Sequence, residues 1–238
     1  MFATEVEAFF IETKGVTDVG QLAEFRAILA PDELSQMHRF VRRENRHDYL
    51  VAHALLRLAL SRFAPIRPQD WVFVKNNQGR PEISAPKQAQ RLSFNLSHTD
   101  GLVACVVAED RPVGIDVEGI SKVTDGLAIA DQFFTKSEVK WLLAGGPTEQ
   151  QTRFFKLWTL KEAYLKARGV GLSLPLDGFE FDLEAEQQVK ISFLQSLLDT
   201  PACWQFKQQL ISVKYVLAVA ASIPDQTPIR IRCNPFFG

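Results

Sequence analysis

The sequence predicts an α+β fold made of two similar α/β halves. Two observations carry that reading. Each half offers stretches of helical periodicity followed by short apolar runs of strand type. Each half also closes on an apolar strand, Gly101-Leu102-Val103-Ala104-Cys105-Val106-Val107 in the first and Tyr215-Val216-Leu217-Ala218-Val219-Ala220 in the second. The boundary is expected near residue 112, giving an N-terminal half at 1–112 and a C-terminal half at 113–238. No sequence repeat proves the symmetry, and there is no low-complexity segment or long linker.

Taken in chain order, residues 31–63 read as helical. Pro31 and Asp32 make a helix start, and Asp32 and Glu33 favour its first turn. Tyr49, Ala52, His53, Leu56 and Leu60 recur at helical steps, and Pro65 and Pro68 end the pattern. Trp71 to Val74 reads as a strand, and Asn76-Asn77-Gln78-Gly79 as a turn. Leu92 to Leu96 and Leu102 to Val107 are strands, with Ser97-His98-Thr99-Asp100-Gly101 as the polar break between them. Val113 to Val117 is another strand. One helical stretch is expected over about 125–143, carrying a Thr135…Glu138 capping box. Gly145-Gly146-Pro147 breaks the chain before a long helix from about Glu149 to Arg168, with Gly169 closing it. Phe179 to Leu183, Val189 to Phe193, Trp204 to Leu210 and Val216 to Ala221 supply the late strands.

The chain has 238 residues, ample for a sizeable core. A net charge of -1 gives no global pull toward nucleic acid or a membrane surface, so any charge logic must be local. Cys105, Cys203 and Cys233 are scattered and form no C-x-x-C pair, which predicts reduced thiols rather than disulfides or zinc. Glu5, Glu7 and Glu12 interrupt the N-terminus, so no signal peptide is expected, and no apolar run reaches a membrane span. These features predict a soluble cytoplasmic protein.

Two segments carry chemistry. In Gly114-Ile115-Asp116-Val117-Glu118, strand alternation turns Ile115 and Val117 toward a core and sets Asp116 and Glu118 together on the other face. Paired carboxylates repel and favour a cation, and hard oxygen ligands suit Mg²⁺. A solvated strand edge accounts for the same pattern. In Trp158-Thr159-Leu160-Lys161-Glu162-Ala163-Tyr164-Leu165-Lys166, Glu162 and Lys166 stand at i and i+4, which an ordinary ion pair would explain. Their largely apolar helix places Lys161, Glu162 and Lys166 at a core margin instead. There Glu162 could complete a metal site with Asp116 and Glu118, and the lysines would suit a pyrophosphate.

These two segments together resemble the paired signature of the 4′-phosphopantetheinyl transferase superfamily. Gln78-Gly79-Arg80-Pro81, Phe94-Asn95-Leu96-Ser97-His98, Phe133-Phe134-Thr135-Lys136-Ser137-Glu138 and Gly171-Leu172-Ser173-Leu174-Pro175-Leu176 extend the resemblance to the surfactin-synthetase-activating type. It covers most of residues 31–180. The resemblance implies a pseudo-dimer of two halves with coenzyme A in the cleft between them, and a monomer in solution. It implies that Asp116, Glu118 and Glu162 hold Mg²⁺, with Mn²⁺ as the alternative metal. It further implies that Ser97 and His98 contact the coenzyme A phosphates and that Arg80 approaches the nucleotide end. Lys161 and Lys166 would neutralise the pyrophosphate, and Glu162 and Lys166 would be the catalytic pair.

Read without the resemblance, His98 caps a turn and Arg80 is a solvated turn residue, whereas Trp158 is a packing residue on either reading. The family's lysines early in the first helix are missing from Asp32-Glu33-Leu34-Ser35-Gln36. Arg39, Arg42, Arg43 and Arg46 are either their replacement at the 3′-phosphate or a solvated basic face. The implied reaction is attack by a carrier-protein serine on coenzyme A, with adenosine 3′,5′-bisphosphate leaving. The partner is an apo acyl or peptidyl carrier protein, a typically acidic class, met by the stretch from His38 to Arg43 and the loop after Glu118. The rival readings are a Mg²⁺-dependent phosphohydrolase, a coenzyme A-binding scaffold without activity, and a purely structural α+β domain.

Overall fold

The computed structural model of the chain describes residues 5–76, 78–120, 126–171, 174–183, 189–194 and 199–237. Asn77 of the expected turn, residues 121–125 of the expected docking loop, and Leu172 and Ser173 of the extended motif lie outside the described residues.

The N-terminal half runs β1 (Glu5–Glu12), α1 (Val19–Ile28), α2 (Pro31–Arg39), α3 (Arg43–Phe63), β2 (Val72–Lys75), β3 (Pro81–Ala85), β4 (Leu92–Thr99) and β5 (Leu102–Glu109). The rest runs β6 (Val113–Gly119), α4 (Gly126–Phe133), α5 (Lys136–Leu143), α6 (Pro147–Arg168), β7 (Phe179–Asp182), β8 (Lys190–Phe193), β9 (Trp204–Ile211), β10 (Tyr215–Ser222) and β11 (Arg230–Pro235). The main sheets have the orders β11-β1-β5-β4 and β6-β10-β9, and β2-β3 and β7-β8 are separate hairpins. This is the α+β architecture the sequence predicted.

The apolar residues sort into three clusters. Leu50, Val51, Ala54 and Leu55 of α3 pack with Phe9, Val103, Cys105 and Val107 on the outer face of the first sheet. Phe154, Leu157, Leu160 and Tyr164 of α6 pack with Val216, Ala218 and Ala220 on the outer face of the second. Leu102, Ala104 and Val106 meet Ile115, Val117, Leu217 and Val219 between the two inner faces. β5 and β10 are therefore covered on both sides, which explains their unbroken apolar runs.

Side chains, rather than a backbone ladder, bridge the two sheets at both junctions. At the β4–β6 junction, Asn95 Oδ1 accepts from Ile115 N at 3.1 Å and Ser97 Oγ accepts from Val117 N at 3.3 Å. Across the molecule, the Gln205 amide of β9 bonds both Ile229 N (2.9 Å) and Ile229 O (2.7 Å), at the entry to β11. Lys207 Nζ donates to Ile231 O at 3.0 Å. Edge groups that would otherwise be costly are satisfied in this way.

Several expectations change. The helical stretch at 31–63 is two helices, broken between Arg39 and Arg43. The stretch at 125–143 is also two, because the Thr135 cap starts α5 afresh: Thr135 N donates to Glu138 Oε2 at 2.9 Å, and Glu138 N to Thr135 Oγ1 at 3.3 Å. Ser97, His98 and Thr99 are not a break but continue β4, and only Asp100 and Gly101 turn the chain, with Gly101 at φ 82°. β1, α1, β3 and β11 were not anticipated. β11 pairs parallel with β1, so the last strand returns to the sheet of the first half. The cysteines are free, as expected. No helix among the described residues is long and apolar enough to cross a membrane.

Candidate functional site

The site forms where α6 crosses the β4–β6 junction. α6 starts with Pro147 at its first turn and ends on Gly169, whose φ of 67° is the left-handed conformation glycine allows. Its approach to β6 is set by Gly114: a Cβ there would lie 2.1 Å from Ala163 O and 2.4 Å from Ala167 N. Backbone against backbone, the helix brings Glu162 and Lys166 over Asp116 and Glu118. Ile115 and Val117 are buried toward the inter-sheet core, so strand alternation holds as expected.

Ser97, His98, Asp116, Glu118, Glu162 and Lys166 line one cavity of about 370 Å³, with Leu96 and Trp158 beside them. Lys166 Nζ donates to Asp116 Oδ1 at 2.6 Å and to Ser97 Oγ at 3.1 Å. Ser97 Oγ donates to Asp116 Oδ1 at 3.0 Å. Thr99 Oγ1 donates to Glu118 Oε2 at 3.5 Å. Asp116 is 4% exposed, and its Oδ2 is buried without a hydrogen-bond partner. Burial, and next to it the charge of Asp116, push the Glu162 carboxyl above its ordinary value, with Lys166 opposing.

Among the described residues, no three carboxylate, imidazole or thiolate groups are already gathered as a metal cluster. The chemistry of the donor set still fits a hard cation. A buried carboxylate oxygen lacks a partner, a second carboxyl is raised by burial and then by the charge of the first, and a third stands two residues along the same strand face.

Two predicted site residues are placed differently. Lys161 is fully buried and away from the cavity. Its ammonium pairs with Glu138 Oε2 at 2.8 Å and donates to Leu176 O at 2.7 Å and Phe179 O at 2.6 Å, which uses its three protons. Glu138 also accepts from Phe181 N at 2.9 Å. Lys161 is therefore a structural cation joining α5, α6 and β7, not a pyrophosphate contact. Burial lowers its pKa, and the Glu138 charge opposes that.

Arg80 is also engaged within the chain. Its guanidinium donates to Lys166 O at 2.6 Å, Phe94 O at 3.0 Å and Val113 O at 3.2 Å. That clamp binds the end of α6 to β4 and β6, and it replaces the solvated-turn reading. Carbonyls from three separate segments converge on it.

Trp158 stacks on Phe154 at 6.0 Å and meets Phe133 edge-on at 5.6 Å, the packing role read for it. Arg43 and Arg46 line a separate pocket of about 380 Å³ with Arg26, His38 and His47. A larger trough of about 1140 Å³ follows β9 past Lys156, Lys190 and Lys207, and no carboxylate is among its described lining residues. Asn95 and Gly114 lie inside the two strand motifs, where the sequence alone assigns them no role. The polar alternation Asn95, Ser97, Thr99 on a strand was the available signal for the junction.

Residues 19–110 match the model of the 4′-phosphopantetheinyl transferase N-terminal region, and residues 112–220 match that of the 4′-phosphopantetheinyl transferase superfamily. The chain is 34% identical to 4′-phosphopantetheinyl transferase Sfp of Bacillus subtilis (strain 168), over 84% of this chain and 85% of that one. It is 32% identical to 4′-phosphopantetheinyl transferase HetI of Nostoc, over 85% and 82% of the two chains. Among solved structures, Thermotoga maritima holo-[acyl-carrier-protein] synthase superposes on 47% of this chain and 62% of its own, with 21% identity and a TM-score of 0.40. With 34% identity to Sfp over 84% of this chain, and residues 19–110 and 112–220 each matched by a family model, the chain belongs to the 4′-phosphopantetheinyl transferase superfamily.

Proposed function

We propose that this chain transfers the 4′-phosphopantetheine group of coenzyme A to a serine of an apo carrier protein, releasing adenosine 3′,5′-bisphosphate. The observation that carries the reading is the junction cavity, where three carboxylates and Lys166 face one space inside a chain of this family. Asp116, Glu118 and Glu162 are the residues that would hold Mg²⁺, or Mn²⁺ in its place. The cation would neutralise charge on the diphosphate of coenzyme A.

The chain's own residues do the rest. The serine oxygen bonds to the β-phosphorus as the diphosphate P–O bond breaks. Glu162 receives the serine proton; its raised pKa suits a base better than an ordinary glutamate would. A carboxylate that also binds a cation is a weaker base, so its two roles compete. Lys166, 28% exposed at its side chain, offers its ammonium to the charge that develops on phosphate oxygens. His98 is exposed on the cavity wall and faces the same space.

The carrier protein is the macromolecular partner, and the chain acts as a cytoplasmic monomer. Neither nucleic acid nor a membrane takes part. Arg39, Arg42 and Arg43 are exposed beside His38, a basic face suited to an acidic carrier. The carrier KM is expected to rise with salt, and a salt-independent KM would remove that steering. The central test incubates the chain with coenzyme A, Mg²⁺ and a panel of apo carrier proteins, followed by intact-mass measurement. A phosphopantetheine mass gain is expected on at least one carrier, and none on any would sink the proposal.

A further inference from the structure

Ser97 spends its whole bonding capacity inside the protein. Its hydroxyl donates to Asp116 Oδ1 and accepts from Val117 N and Lys166 Nζ. One proton and two lone pairs are all that a serine hydroxyl has. The residue is 7% exposed. In this structure its hydroxyl therefore has nothing left for a coenzyme A phosphate, which departs from the role the resemblance implied.

The bonds around Asp116 are one-sided. Both Ser97 Oγ and Lys166 Nζ meet Oδ1. Oδ2 is buried and has no hydrogen-bond partner. An anionic oxygen left in that state is costly, and a cation relieves it.

We propose that Ser97 is a positioning residue that orients Asp116 so that one oxygen is held for Lys166 and the other is presented to a divalent cation. This rests on the metal-site reading above. The hydroxyl is fixed because the Val117 amide holds it, and Val117 follows Asp116 on the same strand. Asp116 is thus locked by a side chain from β4, on the opposite side of the junction. Docking of the two sheets and cation affinity are coupled through one hydroxyl.

Asn95 supplies the control. It bridges the same junction at 3.1 Å, but to Ile115 N rather than to Asp116. The experiment titrates Mn²⁺ into the full chain, without coenzyme A or carrier, and reads free Mn²⁺ by electron paramagnetic resonance. Compared with wild type, Ser97→Ala is expected to weaken Mn²⁺ binding roughly 10- to 100-fold, the range for residues that orient metal ligands. Ser97→Thr keeps a hydroxyl and is expected to recover most of the affinity. Asn95→Ala is expected to leave the affinity unchanged.

Wild-type affinity in Ser97→Ala would overturn the inference. So would an equal loss in Asn95→Ala, because junction integrity alone would then explain both. A wild-type chain that binds no Mn²⁺ overturns the metal site and this inference together. Mass gain on an apo carrier, measured separately, would then still stand for the transferase reading.

Discussion

The two junctions between the sheets use one device and differ in what they leave over. At β9–β11 the bridges are long side chains, and the Gln205 amide and Ile229 satisfy each other in both directions. At β4–β6 the bridges are the short side chains of Asn95 and Ser97, and acidic residues stand directly behind them. There one buried carboxylate oxygen remains unpaired and a neighbouring carboxyl is raised in pKa. The same contrast divides the lysines of α6. Lys161 has every proton taken by protein acceptors, whereas Lys166 shares a carboxylate and lines a cavity. A saturated charge holds structure, and an unsaturated one is available for a ligand.

That contrast can be broken by substitution. Lys161→Met is expected to cost about 3–5 kcal/mol of stability, because Glu138 is left charged and buried without its partner. Denaturant unfolding reads the loss, and adding Glu138→Gln should return part of it. An unaltered unfolding midpoint would show that the pair is not structural. Glu162→Gln is expected to lower transfer roughly 100- to 1,000-fold while the fold survives, measured with labelled coenzyme A. Near-normal turnover would take Glu162 out of the reaction.

Gln205→Ala tests the saturated junction. Leaving Ile229 N and O without their partner should cost about 1–3 kcal/mol of stability. Transfer per folded molecule should stay at the wild-type rate. A large fall in that rate, with the fold intact, would show that the second junction also serves the reaction.

The smallest expected effect is an acid titration. Burial pushes the Glu33 carboxyl up, but His53, the Ala30 amide and Arg57 together hold it below the ordinary value of 4.5. A depressed folded pKa contributes stability above the unfolded pKa and loses it as pH falls through the folded one. Melting from about pH 6 downward should therefore show a loss below the ordinary glutamate range, and that part should vanish in Glu33→Gln. An identical acid profile in the variant would assign the loss to other carboxylates. Glu33 is one more saturated charge, with Arg57 Nη2 at 2.7 Å and His53 Nδ1 at 2.8 Å.

Legibility followed the range of the interactions. The Thr135…Glu138 capping box, the Gly169 helix end and the apolar runs of β5 and β10 are local, and the sequence states them directly. α1 and β11 are weakly patterned; β11 is a strand because β1 offers it an edge from the far end of the chain. In the site, the motifs pointed to Asp116, Glu118, Glu162 and Lys166, and all four line one cavity. They pointed equally to Lys161 and Arg80. A side chain's partner is not written beside it in the sequence: Lys161 faces Glu138, and Arg80 faces carbonyls from three separate segments.

By itself, the sequence determined which residue types could perform phosphate and cation chemistry, because alternation on a strand and i,i+4 spacing on a helix fix which side chains share a face. Only the tertiary structure decided which of them are left to perform it. Gly114 lets α6 rest on β6, which carries Lys166 to Asp116. The β4 edge then supplies Ser97 to hold one oxygen of Asp116 and leave the other open. Those contacts join residues far apart in the chain, two within the C-terminal part and one across the β4–β6 junction, and only tertiary packing selects them.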